Sequence, residues 1–481
     1  MCGVTLLSMK LTSYGAAGEV TGSCHMIELE VGERVRRVLL DCGLIQGRQA
    51  DELRNHDPFP FDPAGLDAVV LSHAHIDHSG RLPMLVKQGF RGRIHTQHAS
   101  ADLVEILLRD SASLNARDVE RKNRRRERRG KKPLEPLYGK DDVARTLKQL
   151  SREGYNETFE PCPGVSVQLH DAGHILGSAI VELSLTEREQ SRTLVFSGDL
   201  GHRGSPILRD FSRLEHADFV LMESTYGNRE HRSWDDTLHE VGEVADIIAN
   251  TNGNVLIPAF SVGRSQMIMY AFARNREAWQ LDKRRIFLDS PMAIKATEAY
   301  VEHTDLYDDN AAAFWREHGK LLALPNLHFT ESPQESMAIN RVANGAVVIA
   351  GSGMCTGGRI LHHLKHNLWR RDAHVIIAGY QGRGTLGRKL VEGKSRVRIH
   401  RDRIRVSANI HTIGGLSAHA GQDGLVDWYS AFRTRPPALL VHGEPKAMRA
   451  LRGRMENELG ATVRAAQAGR STDLLAERPF A

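Results

Sequence analysis

The sequence predicts a layered α/β protein, and three observations carry that expectation. Short apolar runs recur without the polar alternation of a half-exposed strand: AVVLS (68–72), RTLVFS (192–197), DFVLME (218–223), NVLIPA (254–259), RRIFLD (284–289), AVVIAG (346–351), HVIIAG (374–379) and ALLVHG (438–443). Continuous runs of this length suit strands that are covered on both faces. Helix-like segments lie between several of them. SGRLPMLVKQG (79–89) has Ser79 as its expected N-cap, and TLHEVGEVADIIANTNG (237–253) follows Asp235 and Asp236 and ends in Gly253. Finally, ionisable and glycine-rich residues follow the strand ends directly, where open α/β sheets place their sites.

Size and composition bound the function. A chain of 481 residues has material for more than one domain, and its 41% hydrophobic and 26% charged residues are ordinary for a globular protein. No window approaches the roughly 18 consecutive apolar residues of a membrane span. The opening MCGVTLLSMKLTSYG lacks the basic and then long apolar pattern of a signal peptide, so a cytoplasmic protein without a membrane is expected. The five cysteines, Cys2, Cys24, Cys42, Cys162 and Cys355, form no CxxC pair, which suits a reducing compartment and argues against a thiolate cage. A net charge of +5 says little about partners, but its distribution says more. RKNRRRERRGKK (121–132) holds nine basic residues against one acidic, and KSRVRIHRDRIRV (394–406) alternates basic and apolar residues. The first run reads equally well as a solvated helix face and as a landing site for a polyanion.

The stretch HAHIDHSG (73–80) carries the chemistry. It crowds three histidines and one aspartate into six positions after the AVVLS run, which core packing gives no reason to do. His73 and His75 are two apart, so in extended chain they point the same way. Asp77 and His78 follow where the chain turns, and this pair can serve a neighbouring point. That pattern suits two cations a few ångströms apart rather than the i, i+4 histidines of a one-metal helix motif. Three strand ends offer further ligands: His174 in DAGHILGSA (171–179), Asp199 in FSGDLG (196–201) and His442 in ALLVHGE (438–444). Each alone is the kind of residue a strand end uses for hydrogen bonding; together they complete two nitrogen and oxygen shells. Asp199 is the natural bridge, because a carboxylate spans two cations more readily than an imidazole. Imidazole and carboxylate without thiolate fit two zinc ions best, with manganese or iron as alternatives.

The ordered segments LLDCG (39–43), HAHIDHSG, AGHILGSA and FSGDLG resemble the metallo-β-lactamase superfamily. MESTYGNREH (222–231), IPAFSVGRSQ (257–266), DSPMA (289–293), GSGMCTGGR (351–359), LSAH (416–419) and LVHGE (440–444) resemble its β-CASP nucleic-acid-processing branch. The likeness is strongest to bacterial and archaeal relatives of the nuclease subunit that cleaves pre-mRNA 3′ ends. It implies an αββα sandwich in residues 1–227 and 412–481, with an inserted α/β β-CASP domain in 228–411. It also implies one metal on His73, His75 and His174, the other on Asp77, His78 and His442, and Asp199 shared. Asp41 would accept a hydrogen bond from a ligand imidazole. His419 would be the general acid and Glu223 the carboxylate beside it, so that His419, Glu223, Asp77 and Asp199 form the catalytic set.

Arg264, Arg359, Arg383 and Arg388, beside Gly-rich turns, are candidate phosphate contacts. No GxxxxGK[ST] loop occurs, so ATP hydrolysis is not expected. His442 matches the residue that members acting on RNA carry, where DNA-repair members carry a small apolar one. The resemblance thus implies a zinc ribonuclease acting on single-stranded RNA and leaving 5′-phosphate and 3′-hydroxyl ends, internally or from the 5′ end. A homodimer is compatible with it. The alternatives are a DNA nuclease on the same scaffold, a small-molecule metallo-hydrolase and an inactive RNA-binding partner.

Overall fold

The computed structural model describes residues 9–477 and 480, apart from 48, 321, 380 and 383. The chain divides into two compact units. The first comprises the segment up to Arg203, Asp210–Glu230 and everything from His419 on; the second comprises Gly204–Arg209 and His231–Ala418.

The first unit is built on two seven-stranded sheets. One runs Ser471–Asp473, Lys10–Gly15, Cys24–Val31, Arg34–Leu40, Ala68–Val70, Arg93–Gln97, Leu150–Glu153 in spatial order. The other runs Val463–Ala465, Ala438–Val441, Phe219–Glu223, Gln190–Phe196, Ala179–Glu187, Val165–Asp171, Thr158–Cys162. Their inner faces meet in one core, where Leu11, Ile27, Val38 and Leu40 pack with Val167, Val181, Leu194, Phe196 and Leu221. The other face of the second sheet turns Val195, Val220, Met222 and Leu440 toward Leu425 and Trp428 of helix Gln422–Ser430 and Met448 and Leu451 of helix Pro445–Leu459. Helix His98–Glu127 packs on strands Arg93–Gln97 and Leu150–Glu153 of the first sheet. The layers are therefore helix, sheet, sheet, helix. The DFVLME run shows why apolar continuity was informative: Phe219 and Leu221 enter one core while Val220 and Met222 enter the other, so every position of the strand Phe219–Glu223 is buried.

The second unit repeats the logic with a six-stranded sheet, ordered Leu327–Phe329, Arg285–Leu288, Ala346–Ala350, Val255–Pro258, His374–Ala378, Asn409–Ile413, whose pairings are all parallel. Val255, Ile257, Val347 and Ile349 pack on one face with Met267 and Ile294. Leu256, Val348 and Val375 pack on the other with Ile360, Leu364 and Leu390. Among the described residues no helix is long and apolar enough to cross a membrane.

Two local expectations are corrected. Ser79 is not an N-cap: it ends the short helix Ile76–Ser79, and its hydroxyl donates back to the Ala74 and His75 carbonyls at 2.8 and 3.0 Å. The next helix, Leu82–Lys87, starts from Arg81. The long amphipathic helix is Trp234–Ala249, opening earlier than Thr237 because Ser233 Oγ accepts from the Asp236 N–H, and closing before Gly253. Gly253 is required for a close approach instead, since a Cβ there would lie 1.5 Å from the Asp372 carbonyl oxygen.

Gly43, in LLDCG, has the same role next to HAHIDHSG, where a Cβ would meet the Asp77 carbonyl oxygen at 1.6 Å. Gly43→Ala is expected to lower unfolding free energy by about 1–3 kcal/mol through overpacking. Chemical denaturation checks this, and a parental midpoint would contradict the contact.

Candidate metal centre

The site residues stand at the carboxyl ends of the strands of the first unit. Asp41 follows Arg34–Leu40, and His73 follows Ala68–Val70. His174 follows Val165–Asp171, Asp199 follows Gln190–Phe196, Glu223 ends Phe219–Glu223, and His442 follows Ala438–Val441. A parallel or mixed sheet ends its strands in register, so these remote positions in sequence arrive at one rim. Asp41 and His442 both take left-handed backbone (φ 59° and 51°), which is strained for residues with a side chain.

One group of nitrogens consists of His73 Nε2, His75 Nδ1 and His174 Nε2, with His75 Nδ1 3.1 Å from the first and 3.2 Å from the last. A second group places His78 Nε2 3.2 Å from His442 Nε2, with Asp77 Oδ2 3.5 Å from the latter. Asp199 reaches both. Its Oδ2 lies 3.6 Å from His73 Nε2, 3.8 Å from His174 Nε2 and 3.3 Å from His78 Nε2, and its Oδ1 lies 3.4 Å from His442 Nδ1. The sequence-derived residues are thus brought together as His73, His75, His174 and Asp199, and as Asp77, His78 and His442; Asp199, Glu223 and His419 form a third group.

Whether this donor set fits divalent cations can be tested on its own contacts. Tetrahedral zinc with bonds of about 2.0–2.1 Å to nitrogen separates its ligand atoms by about 3.3–3.4 Å, close to the spacing found. Burial, joined by the neighbouring His78, holds the His73 imidazole well below its usual range, and burial brings His75 down to about 4. Both rings are therefore neutral near pH 7 and have lone pairs to offer. Asp199 is buried, yet its Oδ1 has no hydrogen-bond partner. An unsatisfied buried carboxylate oxygen is costly, and a cation is the partner that removes the cost. The residues fit.

Supporting contacts fix the rings. Asp41 Oδ1 accepts from the Ser72 N–H at 2.8 Å, and Oδ2 accepts from Ser72 Oγ, Ser23 Oγ and His78 Nδ1 at 3.0, 2.9 and 2.7 Å. The last bond leaves His78 Nε2 directed into the pocket. Ser23 Oγ also lies 3.2 Å from His25 Nε2, whose Nδ1 is 3.0 Å from Ser13 Oγ. Burial depresses the His25 imidazole to about 3. On the other side, Thr225 Oγ1 donates to the His442 carbonyl and lies 3.0 Å from His442 Nδ1. Sequence reasoning missed Ser23, His25, Ser72 and Thr225. Ser72 was signalled only by adjacency to HAHIDH and Thr225 only by its place in MESTYG; Ser23 and His25 had no local signal.

Glu223 is fully buried; its Oε1 accepts from the Leu200 N–H at 2.7 Å and from His419 Nδ1 at 3.3 Å, and its Oε2 from the Thr225 N–H at 3.1 Å. Burial pulls the His419 imidazole down, but the carboxylates of Glu223, Asp199 and Asp77 outweigh it and hold the ring up at about 9. With a cation held at Asp199 and Asp77, Glu223 would be the partner that still favours the protonated ring.

The candidate phosphate contacts belong to the second unit. Arg264 is buried at the start of helix Arg264–Arg274. Arg359 is a correction: its Nη1 donates to Asp289 Oδ1 and the Thr330 carbonyl at 2.7 and 2.9 Å, and its Nη2 to the Glu331 carbonyl at 2.5 Å. Asp289 also binds His363, Ser336 and Thr330. The guanidinium is committed to this internal network, not presented to a ligand. Arg383 lies outside the described residues. Arg388 is half-exposed and pairs with Glu392 at 2.8 Å.

Comparison with known proteins agrees with the order of the motifs. The Beta-lactamase superfamily domain model matches residues 36–259, the Beta-Casp domain 265–390, and the Zn-dependent metallo-hydrolase RNA specificity domain 403–466. A ribonuclease of Thermus thermophilus is 40% identical over 443 residues, covering 92% of this chain and 95% of its own. A transcription termination factor of Methanocaldococcus jannaschii is 29% identical over 454 residues, covering 91% of this chain and 67% of its own. That of Thermococcus kodakarensis is 27% identical over 475 residues, covering 95% and 70%. Three successive family models and a relative matched along almost its full length show that the chain belongs to the β-CASP branch of the metallo-β-lactamase superfamily.

Proposed function

We propose that the protein is a zinc-dependent ribonuclease that hydrolyses phosphodiester bonds of single-stranded RNA, leaving 5′-phosphate and 3′-hydroxyl ends. The observation that carries this reading is Asp199, a buried carboxylate with one oxygen unbonded, set between two groups of converging imidazoles with His419 beside it. Support for RNA as the substrate comes from the 40% identical ribonuclease and from His442 in the last motif. We assign 1–227 and 412–481 to the metallo-β-lactamase domain and 228–411 to the β-CASP domain; the compact units support the first border, near 230, and carry the second to 418/419, beyond strand Asn409–Ile413 of the second unit.

In this reading His73, His75 and His174 hold one cation, Asp77, His78 and His442 the other, and Asp199 both. When bound, such a pair lowers the pKa of water and neutralises charge on a phosphoryl oxygen. The chain's own residues do the rest. Asp41 and Thr225 orient the His78 and His442 rings from behind, so each presents one defined nitrogen. His419 gives its proton to the departing 3′ oxygen as the P–O3′ bond breaks, and Glu223 holds that imidazole protonated and aligned.

His419→Ala is expected to retain its cations, measured by elemental analysis, while cleavage of end-labelled single-stranded RNA falls about 10²- to 10⁴-fold. Cleavage at the parental rate would remove His419 from the role. Chelation is expected to abolish cleavage. Returning zinc at a hundredfold excess over its Kd should stabilise the stripped protein by about 2.7 kcal/mol per site in thermal unfolding. A Tm that ignores zinc would sink the metal assignment, and a matched DNA oligomer cut as fast as RNA would favour a DNA nuclease. Asp41→Ala should weaken zinc binding about 10- to 100-fold in chelator competition; an unchanged affinity would mean that the bond to His78 orients nothing.

A further inference from the structure

The hairpin formed by strands Arg396–Ile399 and Asp402–Arg405 sets like charges against one another across its ladder. Its antiparallel register sets Arg396 opposite Arg405 and Arg398 opposite Arg403. Opposed residues project to one face, and positions two apart share it. All four arginines are exposed on that face. The other face buries Val397 and Ile399 beside Ile360, Leu364 and Leu390, with Ile404 packed against them, so the ribbon cannot rotate its charges away from one another. Like charges directly opposite in a sheet destabilise it. The only acidic residue between 394 and 406, Asp402, pairs with Lys365 at 2.6 Å. Among the described residues none of the four guanidiniums has a carboxylate partner within ion-pair distance.

Several helical arginines are interleaved with acids. Arg452 and Arg454 pair with Glu456 and Glu458, and Arg109 with Glu105. Even in the 121–132 run Arg121 and Lys122 share Asp118, and Arg124 pairs with Glu120. Two Arg–Arg pairs stacked on a ribbon whose single acid is engaged by Lys365 leave a charge to be answered from outside the ribbon.

We propose that this face of the second unit, Arg396, Arg398, Arg403 and Arg405, is a docking strip for the sugar–phosphate backbone of RNA, made of residues other than those that carry cleavage; this rests on the ribonuclease reading. Along the strands the arginines recur at about 6.6–6.8 Å, and across them at about 4.5–5.5 Å. Planar guanidiniums grip phosphate through paired N–H donors. The four positions are open and repeated rather than enclosed, which suits a polymer of phosphates better than one small anion. They carry no aromatic side chain to stack on bases, so the contact reads charge and not sequence.

The test compares the parent with the variant Arg396→Gln, Arg398→Gln, Arg403→Gln, Arg405→Gln. Binding of a labelled RNA of about forty nucleotides is measured in chelator across a salt series. At about 0.7 counterions per contact on a single strand, the slope of log affinity against log salt should fall by about 2.8. Between about 50 and 200 mM salt, parental affinity should then drop about 50-fold more than that of the variant. The pair Arg398→Gln, Arg403→Gln alone should give about half that change in slope, which guards against misfolding of the fourfold variant. Removing the repulsion should raise Tm, and cleavage of an RNA of about six nucleotides should stay at the parental rate. An unchanged salt slope overturns the proposal, including the case in which the variant loses only its affinity for anionic vesicles or an acidic peptide. A parent that binds RNA with the expected slope yet cleaves none counts against the ribonuclease reading and leaves the docking strip standing.

Discussion

The Asp199 carboxylate is the constraint on which the first unit's architecture turns. It is buried among imidazole nitrogens of His73, His78, His174 and His442, and one of its oxygens has no donor. A charge in that situation is expensive unless a cation answers it. The surrounding features reduce to ways of sustaining it. Two sheets bring their strand ends to one rim, Gly43 and Gly201 allow backbone to pass at distances no side chain would permit, and Asp41 and His442 are held in strained backbone. Strain of that kind survives only where packing over-determines it. Here the packing is the shared core between the sheets on one side and the helices over Met222 and Leu440 on the other.

The three buried carboxylates of the rim differ in one respect that separates their work. Asp41 receives hydrogen bonds from Ser72 N, Ser72 Oγ, Ser23 Oγ and His78, and Glu223 receives them from Leu200 N, Thr225 N and His419. Both are saturated by the protein, and each spends one bond fixing an imidazole. Asp199 is not saturated. A carboxylate that the protein completes is a positioning group, and one that it leaves incomplete is built for something it does not itself supply. By the same distinction Glu223, whose bonds the protein completes, would keep His419 charged with a cation bound at Asp199 and Asp77.

Much of this was legible in the sequence. The strands could be read because both of their faces are buried, which turns period-two packing into unbroken apolar runs, as in DFVLME. The rim could be read because HAHIDH has no packing explanation. What escaped was the layer behind it. Ser23 immediately precedes the strand CHMIELEV and His25 lies in it, where nothing in local spacing distinguishes them from ordinary strand residues. Their meaning lies in contacts to Asp41 and Ser13, 18 and 12 residues away. Thr225 is defined by His442, 217 positions on. Hydrogen-bond completion is a tertiary property, and a chain signals it only through the residue it serves. Arg359 failed for the same reason: a Gly-rich turn next to an arginine looks like a phosphate site until Asp289 is found beneath it.

The two basic stretches differ in the partners that the periodicity of each element offers to an arginine. Both are dense in arginine, and the helical one is the denser. On a helix, however, cations meet the residues three and four positions away, and Asp118 and Glu120 stand at those positions to receive Arg121, Lys122 and Arg124. On a hairpin a residue meets its cross-strand partner, and there the partner of each arginine is another arginine. The alternation of RVRIHRDRIR fixes this outcome: with Val397 and Ile399 needed by the core, every intervening position must face out, and the register then sets like against like. Local stability would have been served by a single acidic residue at 403 or 405. Its absence from both is the kind of disagreement between levels that marks a surface shaped by what it binds.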